Sequence, residues 1–150
     1  MAEETINGVK VTLRDEFPAA YGWDLLAAVR RIDRIRHERI SEALGREVTI
    51  AELQADPQAD DVAAAVGKVQ WINVIQENLP YTDAVKFVRG AVESWDFPGD
   101  LARADCCDGM NTIHEFMPLV TSAVLLFYTA NSREKLTGEA GSGSTSPSEG

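Results

Sequence analysis

Apolar residues recur every three or four positions along most of the chain, and glycine or proline repeatedly ends the pattern. That spacing puts them on one face of an α-helix. Leu25, Val29, Ile32, Ile40 and Leu44 form the first stripe, widened by Leu26 and Ile35. Its helix starts between Pro18 and Asp24, and Gly45 is placed to cap its end. Thr49-Ile50-Ala51-Glu52 fits a capping box for a short helix to about Ala55. A polar loop from Asp56 to Asp61 ends in an N-cap. Beyond it, Val62, Val66, Val69, Ile72, Ile75 and Leu79 predict one helix stopped by Pro80, with Trp71 and Val74 flanking the stripe. Thr82 is placed to cap the next helix, in which Val85, Val88, Val92 and Trp95 share a face. That helix has to stop by Asp96, because Pro98 pushes the residue before it towards extended backbone. After an Asp- and Gly-rich loop, Asn111 caps a last helix carrying Ile113, Phe116, Val120, Val124 and Phe127. Pro118 either kinks this helix or marks its true first turn.

The two ends break the helical pattern. Asn7-Gly8 is a hairpin-turn pair, and Val9-Lys10-Val11-Thr12-Leu13 alternates, so a short strand or hairpin opens the chain with Val9, Val11 and Leu13 on its buried face. Residues 138–150 are low-complexity and Gly/Ser-rich, which predicts a flexible, disordered tail. The fold expected is therefore mainly α, a small domain of about four or five helices over 1–137 with a β-like opening at 1–15.

Charge narrows the partners. The chain of 150 residues carries a net charge of −10, which disfavours nucleic acid and anionic membranes over most of its surface. The charge is uneven: residues 30–46 hold six arginines against three acids, a basic segment in an acidic molecule. Asp33, Glu38 and Glu42 can pair with some of these arginines at helical spacing. The N-terminus lacks a basic and an apolar region, which argues against a signal peptide. The most apolar run, Met117–Tyr128, is twelve residues and too short to span a bilayer.

Catalytic and metal chemistry find weak candidates. Cys106 and Cys107 are adjacent and His37 and His114 are the only histidines. A Cys–His pair would need a thiol within reach of His114, and nothing in the spacing enforces it. The bland alternative is a solvent-facing thiol pair and a helix-surface histidine. Zinc sites space their cysteines two to four apart, and no phosphate-binding glycine motif occurs. No cofactor, catalytic residue or metal ligand is assigned. The aromatics Trp95, Phe97, Phe116 and Phe127 read first as core and second as anchors for a protein partner, and the basic helix reads first as a solvated, salt-bridged face and second, through Arg30 and Arg34, as an interface with an acidic partner or an acidic part of another copy.

The layout is similar to the small tail assembly chaperones of long-tailed bacteriophages. The likeness is carried by Gly8-Val9-Lys10-Val11-Thr12-Leu13-Arg14-Asp15, by the corner Val92-Glu93-Ser94-Trp95-Asp96-Phe97, and by the Pro/Gly/Asp linker and helical segment that follow. The resemblance implies a non-enzymatic protein of the host cytoplasm that coats the helical tape measure protein, brings tail tube subunits to it and is absent from the finished virion. It also implies a longer product made by ribosomal frameshifting, to which the Gly/Ser-rich end would be a junction. It transfers no catalytic residue. A structural tail or connector component, or a small cytosolic Cys/His enzyme or metal-binding protein, are the alternatives.

Overall fold

The computed structural model describes residues 2–140, with side chains to residue 129. The expected tail at 138–150 lies for its greater part outside the described residues. The fold is mainly helical with an N-terminal hairpin: six α-helices, one π-helical turn and three strands occur among the described residues. The chain groups into two compact units, Met1–Leu25 with Tyr81–Gly150, and Leu26–Pro80.

The first unit opens with β1 (Ala2–Ile6) and β2 (Val9–Leu13), paired antiparallel with Ile6 opposite Val9. Asn7 and Gly8 both take positive φ, as a two-residue hairpin turn requires. Val11 and Leu13 are buried while Val9 is half-covered. Helix α1 (Ala19–Leu44) begins in this unit, one residue after Pro18. Helix α5 (Tyr81–Ala91) begins one residue before the expected cap Thr82, and it buries Ala84, Val85, Phe87 and Val88.

The helix expected to run as far as Asp96 does not. It stops at Ala91, and Val92–Trp95 form a strand, β3, antiparallel to β2 in a sheet of order β1-β2-β3. Val11 faces Trp95, Thr12 faces Ser94 and Leu13 faces Val92, so Glu93 is an extra residue in the ladder. The cause is the free edge of β2. Its unpaired backbone groups take the Arg14 N–H to Ala91 O bond (2.8 Å) and the Asp96 N–H to Lys10 O bond (3.0 Å). Bulging turns the Glu93 carboxylate to Arg14, 3.0 Å away.

A π-helical turn, Thr112–Phe116, leads into α6 (Met117–Ala140). Asn111 caps it through its side chain, accepting from the N–H of Ile113 and of His114. Pro118 is the second residue of α6, directly after the π-helical turn. Leu119, Val120, Ala123, Val124 and Phe127 are buried, but Ile113, expected on the same face, is exposed because it precedes the α-helical register.

In the second unit α1 continues to Leu44, followed by Gly45 as expected. Helix α2 (Ile50–Gln54) has the full capping box between Thr49 and Glu52. The single helix expected over 62–79 is two: α3 (Asp60–Lys68) and α4 (Trp71–Asn78). Val69 and Gln70 take extended backbone between them, so the stripe does not share one face; Val62 and Ala65 are buried in α3, Val74 and Ile75 in α4. Gly67 and the β-branched Val66 and Val69 are weak helix formers, so the break falls where local helix propensity is lowest. Ala59, not the expected Asp60-Asp61 pair, is the N-cap of α3; both acids lie in its first turn. The core of this unit is Ile40, Val48, Val62 and Ala65.

Candidate functional site

The aromatic candidates all lie in the first unit. Phe127 is buried and meets Phe17 and Phe87 edge-on, with ring centroids 4.9 and 5.5 Å away. Gly90 makes room for this cluster: a Cβ there would sit 2.4 Å from the Phe17 ring. Phe97 is also buried and stands edge-on to half-covered Trp95 at 5.2 Å. The Trp95 indole N–H donates to the Gly99 carbonyl at 2.8 Å and so closes the turn after β3. Phe116 is half-covered, 5.3 Å from Tyr81. Phe97 and Phe127 are thus taken up by the core, and only Trp95 and Phe116 keep surface for a partner.

The two thiols are buried, which corrects the solvent-facing placement. Cys106 is 5% exposed and Cys107 2%. Cysteine packs as a small apolar side chain, and the loop that carries the pair is drawn onto α5. The Arg89 guanidinium donates to Leu101 O (2.9 Å) and Ala102 O (3.0 Å), and the Tyr81 hydroxyl donates to Asp108. Gly99 meets the Cys106 carbonyl so closely that a Cβ would lie 2.0 Å from it. The sulfurs are 3.7 Å apart and unbonded. Burial pushes both thiols above their ordinary range, and Cys106 adds to the effect on Cys107. Little thiolate exists at neutral pH, which makes poor nucleophiles. His114 is exposed in the π turn. Among the described residues no group of three or more His, Cys, Asp or Glu could hold a metal ion, and no helix is long and apolar enough to cross a membrane.

In the second unit the arginines separate into two sets. Arg31 donates to Asn78 O (3.3 Å), Arg36 stacks over Trp71 (5.3 Å), Arg39 pairs with Glu77 (2.7 Å) and Arg46 pairs with Glu52 (2.6 Å). The ion pairs of Arg39 and Arg46 reach acids beyond α1. The Arg46 hydrogen bond, helped by the Thr49 backbone, lowers the Glu52 carboxyl to about 2. Arg30 and Arg34 are exposed and show no ion pair among the described residues. Arg34 lines a cleft of about 380 Å³ together with Asp33, Arg36, His37, Ile50 and Leu53. His37 donates through Nε2 to the Val48 carbonyl, and Ser41 Oγ accepts from the Val48 N–H at 3.0 Å, so the chain leading into α2 is held against α1.

Sequence periodicity missed the exposed apolar side chains. Trp23 is 76% exposed and Ile50 66%, with Ile113 and Leu125 also outward. The signal for Trp23 was its phase: two positions before Leu25, it lies roughly 200° round the helix from the buried stripe. No protein-family model, curated protein or solved structure matches the chain.

Proposed function

We propose that the protein is a non-enzymatic assembly chaperone for a phage tail, which covers the tape measure protein, helps recruit tail tube subunits, works in the host cytoplasm and leaves the finished particle. The observation that carries this is Trp23, a large apolar side chain 76% exposed on a regular helix. A tryptophan in that position offers area to an apolar helix face without costing the fold anything when covered. Support also comes from the two stretches behind the resemblance, 8–15 and 92–97. They are neighbours in one sheet, with Val11 opposite Trp95, and so form one structural feature.

Coexpression with the long helical product of the neighbouring tail gene tests this. The expected result is that the native protein keeps that product soluble and copurifies with it. Trp23→Ala is expected to weaken the rescue while its own stability stays within about 0.5 kcal/mol of native, as for an exposed site. Absence of both rescue and copurification defeats the proposal. Recovery of the protein from purified virions would favour a structural tail component instead.

A further inference from the structure

We infer that the cleft between α1 and α2 docks an acidic, amphipathic segment of a partner protein, with one carboxylate on Arg34 in the cleft, a second on Arg30 one helical turn outside it, and an apolar side chain against Ile50 and Leu53. The inference rests on the protein-binding reading above, but not on the partner being a phage protein.

Charge complementarity selects this occupant. Four of the six arginines in 30–46 are engaged within the unit by Asn78, Trp71, Glu77 and Glu52, which leaves Arg30 and Arg34. These are one helical turn apart, so they share a face. A guanidinium fork matches a carboxylate, and a pair of forks one turn apart matches two acids spaced the same way on a facing helix. Asp33 is the one acid on the cleft wall, so the cleft keeps a positive balance in a molecule of −10. Nucleic acid would meet that negative charge all round it.

The apolar half is held ready. Ile50 stands in the first turn of α2, with its side chain 66% exposed. The Thr49–Glu52 capping box orients that turn, and Leu53 anchors it on the core of Ile40, Val48, Val62 and Ala65. A preformed site of this kind loses little entropy on binding.

The test is a fluorescence anisotropy titration of the full chain with a labelled peptide of roughly 18 residues, long enough to form a helix. The peptide carries leucines at helical spacing flanked by glutamates. Binding is expected, weakening with salt. Arg34→Glu and Ile50→Ser, both at exposed positions, are each expected to lose about tenfold in affinity, with helical circular dichroism unchanged. Equal binding of a lysine-for-glutamate peptide would overturn the inference. So would unchanged affinity in both variants, displacement of the peptide by a DNA duplex, or salt-sensitive self-association that Arg34→Glu abolishes. No tail protein enters this assay. A failed titration beside an intact coexpression rescue removes the cleft alone; a failed rescue beside an intact titration removes the phage role alone.

Discussion

The two units solve the same problem with different side chains. The unit of residues 1–25 and 81–150 holds every Phe, Tyr and Trp of the chain except Trp71. It packs Phe17 and Phe87 edge to edge around Phe127 and allows close approach through Gly90. The unit of residues 26–80 has a small aliphatic core and joins its helices at the surface by arginine, histidine and capping contacts. Aromatic packing is apolar and indifferent to pH. Arginine–carboxylate contacts at exposed positions are individually weak and respond to salt and acid. The first unit is therefore expected to be the more sensitive to changes of shape.

The largest expected effect is that of Phe127→Ala, a loss of about 3–5 kcal/mol in urea unfolding. Ile40→Val in the other core is expected to cost only about 0.5–1.5 kcal/mol. If the order is reversed, the contrast in packing fails. Next is Gly90→Ala. Its Cβ would overlap the Phe17 ring, so a loss of about 1–3 kcal/mol is expected where alanine in an open helix would normally stabilise. A thermal melt above native would show that the ring can move aside.

Trp95→Phe keeps an aromatic ring beside Phe97 but removes the N–H that meets Gly99 O. About 1 kcal/mol is expected, together with faster amide exchange over residues 96–99. The smallest effect concerns pH in the second unit. The Glu52 carboxyl is lowered from 4.5 to about 2 by Arg46 and the Thr49 cap. A lowered carboxyl stabilises the fold fully above its unfolded pKa and less as pH falls through the folded one. The α2 cap should accordingly loosen between pH 4.5 and about 2. In a carboxyl NMR titration, Arg46→Ala should move the Glu52 midpoint upwards; no movement would mean that the cap alone sets it.

Much of the fold was legible because its signals are local. The turn at Asn7-Gly8, the capping box at Thr49–Glu52, the end of α1 before Gly45 and the cap at Asn111 each work among residues within a few positions of one another. The candidate site was legible in part. Arg30 and Arg34 were found from charge, and the structure leaves them exposed. Ile50 was read only as a member of a capping box, since an apolar residue in a first turn gives no sign of whether anything will cover it. Phe97 and Phe127 could be read as anchors or as core, and neighbours far along the chain decided for core.

By itself, the sequence determined the helical class, the hairpin opening, most element starts and stops, and the isolation of positive charge in 30–46. Tertiary structure alone decided that Val92–Trp95 is a strand and that Cys106 and Cys107 face inwards. The physical reason is reach. A cap or a turn satisfies its hydrogen bonds nearby, whereas the free edge of β2 captures a segment some eighty residues away. The apolar period around Val92 and Trp95 suits a helix, but backbone groups waiting on β2 outweigh it, and no spacing within 82–95 records that they are there.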